Sequence, residues 1–314
     1  MRAAAIDRFG GPEVLTVHVL PVPALDEGEV LIAVHTAGVG PWDADIREGW
    51  YPSGNPRFPL VLGTDGAGTV AAVGAGVRRF AAGDRVYSYS FDNAKGGFYA
   101  EYVAVVADKV APVPDLLDLE HAGAIPTTGL TALQGIDDAL RVSSGESVIV
   151  LGASGGVGTL ALQFAKLRGA RVLAIASGGD GAALARRLGA DAVIDGRREN
   201  IAAAARSFAP DGVDAMLALA GGDAVAIGLD TLRRGGRLAY PNGVEPEPEP
   251  RDGIAIISYD AVAGVSEFER LNRAVEEAKL EVPIAAVFPF EDAAGAQERL
   301  AAGHVLGKIV LRIR

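Results

Sequence analysis

The chain contains no cysteine. That excludes disulfides, thiolate metal sites and cysteine nucleophiles. No run of about 20 apolar residues free of charge occurs, so no membrane-spanning helix is expected. The opening residues, MRAAAIDRFGGPE, contain an acid and no long apolar stretch, so they do not read as a secretory signal. Basic clusters are missing too. There are 29 lysines and arginines against 40 acids, a formal net charge of −11. Such a chain is a poor partner for nucleic acid or an anionic membrane surface. A cytoplasmic location is the expectation. The four histidines (His18, His35, His121, His304) show no paired ligand spacing.

What is present points to an α/β protein. A length of 314 residues, 49% of them hydrophobic, suggests two domains with substantial cores. The stretch Ser147–Gly169, SVIVLGASGGVGTLALQFAKLRG, organises the second. Val148–Leu151 is a short β-branched run and reads as a buried strand. Gly152, Ala153, Ser154, Gly155, Gly156, Val157 and Gly158 form a glycine-rich turn. Leu160, Ala161, Phe164, Ala165 and Leu167 then recur at helical spacing. A second apolar strand, Arg171–Ala176, follows. Strand, glycine turn, helix and strand form the context in which a backbone can approach a diphosphate and present a helix N-terminus to it. A dinucleotide site is therefore expected here. The alternation continues through strand-like 192–195, 213–219, 237–240 and 253–259, which predicts a parallel, doubly wound sheet.

The first domain reads differently. Strand-like pieces separated by turns run through residues 2–7, 15–19, 29–37, 68–73, 85–88 and 98–105. Val30, Ile32 and Val34 alternate to one face. The domain is expected to be β-rich and barrel-like, with an irregular loop at Pro52–Pro59 that could rim a site. Near the end, Ser266 and Glu269 read as a capping box before Phe268, Leu271 and Val275. The expected division is 1–121 with 260–314, and 122–259.

A resemblance becomes specific at AGVGPWDADIREGWYP (37–52), PLVLGTDGAGTVAAVGAGVRRFAAGDRVY (59–87) and GGFYAEYVAV (96–105). It continues through IPTTGLTALQGI (125–136), GASGGVGTLALQFAK (152–166), LGADAVID (188–195), RRGGRLAY (233–240) and GHVLGKIVLRI (303–313). In this order the segments resemble the medium-chain dehydrogenase/reductase superfamily, most of all its zinc-free quinone oxidoreductase branch, the zeta-crystallin-like proteins. The resemblance implies a GroES-like β-rich catalytic domain and a Rossmann domain. In zinc members of the superfamily the first metal ligand is a cysteine in the position of Gly40, and the second a histidine in that of Thr64. Neither ligand stands at its matched position, and Tyr89–Gly97 is short and thiol-free, with no counterpart of a four-cysteine lobe. No metal is expected, which argues against alcohol dehydrogenation.

The resemblance also implies site residues. Asp43 survives from the family pattern, although on its own it reads as a solvated loop carboxylate. Tyr51 matches a tyrosine lining the nicotinamide pocket. Thr127 matches a residue touching nicotinamide, and locally reads as a helix N-cap. Zinc-free relatives usually carry an asparagine at Gly40. Trp42 and Trp50 flank the same loop and could form an aromatic wall or simply pack. His304 reads as a helix-end residue.

An NAD site wants an acid at the end of the second strand. Here Ser177 and Gly178 stand there, and Asp180 comes later. That favours NADPH. A phosphate site also wants a cation. Many relatives place a lysine after the strand and a tyrosine at Gly196, and this chain has neither. Arg197, Arg198, Arg186 and Lys308 are the candidates. Ala220, Asn242 and Gly243 sit at strand ends and should approach the cofactor. The expected activity is hydride transfer from NADPH to a quinone or other electron-poor acceptor. The alternatives are an enone, alkenal or enoyl-thioester double-bond reductase, or a non-catalytic NADPH-binding protein. The uncharged apolar strand 253–259 suggests a homodimer paired through a sheet edge.

Overall fold

A computed structural model of the chain describes residues 1–51, 56–91 and 93–314. The expected rim loop therefore lies partly outside the described residues, at Pro52–Asn55. In chain order the first strands are β1 (Arg2–Ile6), β2 (Thr16–Val19), β3 (Glu29–Val39), β4 (Leu60–Val61), β5 (Asp65–Val73), β6 (Arg85–Tyr89), β7 (Tyr102–Val106) and β8 (Val110–Pro112). Helix α1 (Pro41–Glu48) follows β3, and α2 (Leu119–Ala124) and α3 (Pro126–Gln134) follow β8. Next come β9 (Ser147–Leu151), α4 (Gly156–Leu167), β10 (Arg171–Ala176), α5 (Gly178–Arg187) and β11 (Ala192–Asp195). Then α6 (Ile201–Phe208), β12 (Val213–Ala218), α7 (Asp223–Leu229), β13 (Leu232–Pro241) and β14 (Ala255–Tyr259) complete the alternation. The tail holds α8 (Val265–Ala278), β15 (Ile284–Pro289), α9 (Ala293–Ala301) and β16 (Lys308–Arg312).

Two compact units result. One comprises Met1–Thr127, Ala263–Asn272 and Ile284–Arg314, and the other Thr128–Val262 and Arg273–Pro283. The segment after Tyr259 thus contributes to both.

The first unit is the GroES-like domain. Its main sheet runs β15-β16-β3-β5-β6-β8, with β7 also paired to β3, beside a small sheet β2-β1-β4. Strand β3 explains why this region folds as a half-wrapped barrel. Val30, Ile32 and Val34 are fully buried, while Leu31, Ala33 and His35 between them are only half-buried. That two-residue period points one face at the core. β16 pairs with the C-terminal half of β3, Ile309 opposite Val39, and so fixes Lys308 near the end of β3.

The second unit is the Rossmann domain. Its sheet order is β11-β10-β9-β12-β13-β14, all parallel. β9 is buried along its whole length, as a central parallel strand must be. The order reverses between β9 and β12, and the crevice at their carboxyl ends is where such sheets take ligands. β14 is the edge strand.

One local expectation is corrected. Ser266 and Glu269 do not form a capping box: α8 begins at Val265, Ser266 lies inside it, and its hydroxyl bonds Glu267. The N–H of Phe268 bonds the Gly264 carbonyl, which places the helix start two residues earlier than the expected Ser266 cap. The apolar face holds, with Phe268, Leu271 and Val275 buried. Among the described residues no helix is long and apolar enough to cross a membrane.

Candidate active site

In the first unit the chemistry gathers where β3 runs into α1. Gly40 is the N-cap, with extended backbone, and Pro41 opens the helix. Asp43, the third helical residue, accepts the Gly40 N–H at 2.8 Å. It also accepts the Thr64 N–H at 3.1 Å and the Tyr99 hydroxyl at 3.0 Å. Both carboxylate oxygens are thus occupied. Asp43 is fully buried, so it is not the solvated loop carboxylate that the sequence alone suggests. Burial pushes its carboxyl up to about 6, against the pull of the Gly40 N–H and the nearby Lys308 charge. Tyr99, buried against that carboxylate, is held well above the usual phenol range.

Lys308 joins this cluster from β16 and is 8% exposed. A side-chain carbon built on Gly40 would lie 3.7 Å from Lys308 Nζ and 3.8 Å from Asp43 Oδ2, with no other atom of the described residues within 4 Å outside its chain neighbours. Gly40 therefore borders a space walled by an ammonium and a carboxylate. Asp65 lies in the same buried region, and its Oδ2 accepts the Thr127 N–H at 3.0 Å. Thr127 is the second residue of α3, so Asp65, and not Thr127, serves that helix N-terminus.

Around α1 the aromatics assemble. Trp42 and Trp50 have ring centroids 5.3 Å apart, and Phe91 lies 5.7 and 5.5 Å from them. The two tryptophans pack on each other and on Phe91 as a three-ring cluster, to which Phe91 was an unforeseen contributor. Trp50 remains 49% exposed. Tyr51 is half-buried against the barrel core.

In the second unit, Gly152 takes a positive φ of 82°, a conformation that glycine reaches without strain. The N–H groups of Gly152 and Ala153 both bond the Ile175 carbonyl, locking the turn to β10. Ala153 and Ser154 are buried, and Gly155 is the N-cap of α4, with no side chain to cap it. A carbon on Gly158 would stand 2.1 Å from the Gly152 carbonyl, so this glycine is what lets helix and strand close together. Gly156 and Val157 between them supply first-turn N–H groups that have no intrahelical acceptor.

At the end of β10, Ser177 is the N-cap of α5 yet does not cap it. Its hydroxyl is buried and finds no partner among the described residues. Asp195, at the end of β11, takes over: it accepts the Gly178 N–H at 2.9 Å and the Arg197 N–H at 3.1 Å. Those two bonds hold its carboxyl below the usual range. The Arg197 side chain is exposed beside this turn. Ala220 is exposed just past β12. Asn242 follows β13, with its amide on Asp260 at 2.7 Å, and Gly243 has a φ of 90°. Each of these residues lies at the carboxyl side of the sheet.

The orphaned Ser177 hydroxyl, the uncapped α4 terminus and the open surface at Gly155 fit a dinucleotide: a hydroxyl, backbone donors and a helix dipole await an anionic partner. Among the described residues no group of three or more His, Cys, Asp or Glu could hold a metal ion. Sequence reasoning missed Tyr99 and Asp195. Tyr99 sits in GGFYAEYV, where it reads as one more apolar strand residue. Asp195 closes an apolar run, and only strand pairing brings it to Gly178.

Comparison with known proteins follows this geometry. Residues 26–115 match the alcohol dehydrogenase GroES-like domain, and residues 188–311 the family described as zinc-binding dehydrogenase. Mouse quinone oxidoreductase is 34% identical over 99% of this chain and 97% of its own length. A crystal structure described as an NAD-dependent alcohol dehydrogenase superposes with a TM-score of 0.92 at 34% identity, covering 100% of both chains. The Escherichia coli quinone oxidoreductase complexed with NADPH superposes with a TM-score of 0.88 at 26% identity, again over 100% of both chains.

Proposed function

Because the chain belongs to the quinone oxidoreductase branch of the medium-chain dehydrogenase/reductase superfamily, we propose that it is an NADPH-dependent, zinc-independent reductase of quinones and other electron-poor acceptors. The observation that carries this reading is the surrounding of Gly40. Where zinc relatives place a metal ligand, this chain folds a buried Asp43–Tyr99–Lys308 cluster around open space. Fixed charges and donors there suit an acceptor that needs an oxygen polarised.

The glycine turn Gly152–Gly158 would hold the diphosphate on the α4 N-terminus. Ser177, Gly178 and Arg197 would meet the adenosine ribose. A serine and an arginine in place of an acid favour a 2′-phosphate. Ala220, Asn242 and Gly243 would border the remainder. When bound, the reduced nicotinamide supplies a hydride. The chain itself orients the acceptor, with Tyr51 and Thr127 as polar contacts and Asp43 setting the charge around Gly40.

The test is NADPH oxidation by chelator-treated protein against a panel of naphthoquinones, enones and primary alcohols. Turnover with quinones, undiminished by chelation, is expected. No turnover with any activated acceptor, or activity lost with the metal, overturns the reading. We propose in addition a homodimer paired through the edge strand β14. Sedimentation should give twice the chain mass, and Ile256→Lys a folded monomer. A wild-type monomer at micromolar concentration refutes the pairing.

A further inference from the structure

We propose that Lys308 is a catalytic residue, its Nζ donating to the acceptor oxygen of the substrate in the space beside Gly40. The inference rests on the proposed reductase activity and deepens it.

The geometry is specific. Lys308 is 8% exposed, yet among the described residues its amine makes no hydrogen bond. The stem is buried while the amine keeps its N–H groups available to an incoming acceptor. Asp43 does not accept them, because its two oxygens already take Gly40, Thr64 and Tyr99. The space at Gly40 is bounded by Lys308 Nζ on one side and Asp43 Oδ2 on the other. An oxygen entering there meets a donor it can use. A side chain at residue 40 would occupy the same volume, which gives the glycine a purpose.

The step balances. Hydride addition brings two electrons and one hydrogen to the conjugated acceptor, and one carbon–oxygen π pair moves onto the carbonyl oxygen. The Nζ–H bond breaks and an O–H bond forms at that oxygen. Lys308 is left neutral and regains a proton from water. Proton donation in the transition state contributes typically 10²–10⁴-fold.

The experiment measures ligand binding to the cofactor-free protein by quenching of Trp42 and Trp50, the chain's two tryptophans. The probes are 2-hydroxy-1,4-naphthoquinone, an anion at neutral pH, and uncharged 1,4-naphthoquinone. Lys308→Gln should weaken the anion about tenfold or more, the worth of a charge-assisted hydrogen bond. The neutral quinone should bind as before. In turnover, kcat should fall by about 100-fold with KM for quinone little changed, and Lys308→Arg should recover part of the anion affinity. NADPH affinity should stay within about twofold, since the lost contact is to the acceptor. Unchanged anion affinity overturns the proposal. So does a large loss of NADPH affinity with anion binding intact, which would make Lys308 a phosphate ligand. Gly40→Ala guards against misfolding of the lysine variant. It adds one carbon with no atom of the described residues closer than 3.7 Å outside its chain neighbours, so it should fold normally and still weaken the anion. If it binds the anion like wild type, the space is not the site. Should wild type reduce no acceptor at all, the reductase reading fails, while the binding arm still judges the lysine.

Discussion

Helices α1 and α4 begin alike and end up chemically opposite. Each follows a strand with a buried C-terminal end, and each starts from a glycine N-cap in extended backbone, φ −131° at Gly40 and −82° at Gly155. The difference lies in the third helical residue. In α1 it is Asp43, which turns back onto the Gly40 N–H. In α4 it is Gly158, where a side-chain carbon would stand 2.1 Å from the Gly152 carbonyl. A helix given its own carboxylate has its positive end neutralised and attracts a cation, here Lys308. A helix whose third residue is stripped bare by close packing keeps its free N–H groups for an outside anion. On the proposed reading, one turn geometry serves acceptor chemistry in one unit and a diphosphate in the other.

The most damaging way to break the contrast is Asp43→Ala. It leaves three buried donors without an acceptor and strips Lys308 of its counter-charge. Removing one partner from such a buried set costs about 3–5 kcal/mol. Denaturant unfolding should show a loss of that order, with thermal melting well below wild type. A loss under about 1 kcal/mol would mean that the cluster is not what holds the turn.

Gly155→Asp converts α4 into a copy of α1. The backbone at Gly155 suits any residue, and among the described residues beyond its chain neighbours a side-chain carbon there would meet only the Gly152 carbonyl, at 3.6 Å. A carboxylate N-cap in place of glycine should add roughly a few tenths of a kcal/mol of stability. It should also occupy the diphosphate position with like charge, weakening NADPH about 100-fold or more. Stability and affinity should therefore move in opposite directions, read by melting and by nicotinamide fluorescence. If affinity is unchanged, the diphosphate does not sit on α4.

A smaller effect belongs to Arg197. Arg197→Gln should weaken NADPH about tenfold, the scale of one charge-assisted contact to phosphate, and leave NADH untouched. Equal losses for both cofactors would remove the 2′-phosphate from this turn.

How far all this was legible differs between the two units. The α4 turn is local: strand, glycines and helix are consecutive, so Gly152–Gly158 could be read from spacing alone. The α1 cluster is not local. Asp43, Thr64, Tyr99 and Lys308 are scattered over the chain, and only the folding of the sheet, with antiparallel pairing of β3 with β16, brings them together. Asp43 therefore stood out only through the family resemblance, and Lys308 only as one of four candidate cations for a phosphate. Asp195 failed to show for a related reason. Its partner Gly178 is 17 residues away and reached through parallel pairing of β10 with β11. Alternating patterns reveal which face is buried, as in β3, but not which polar residues will share a buried pocket.

The finest test of the α1 turn is the titration of Asp43 itself, followed by its carboxyl carbon in NMR. Burial places the midpoint in the fold at about 6, against about 3.9 for an unfolded aspartate. The folded state thus holds this proton more tightly than the unfolded chain. Between the two values the unfolded state has lost a proton that the fold retains. The stability contributed by the protonated group is therefore full below about pH 4 and is lost as pH rises through about 6. That is the reverse of Asp195, whose N–H donors hold its carboxyl low. Tyr99→Phe removes one donor to Oδ2, so the carboxylate loses support and the midpoint should move upward. Lys308→Gln removes a positive charge and should push it the same way. Each variant isolates one of the forces that oppose burial. A midpoint near 4 in wild type, or a downward move in either variant, would separate Asp43 from Tyr99 and Lys308 and dissolve the cluster on which the contrast with α4 depends.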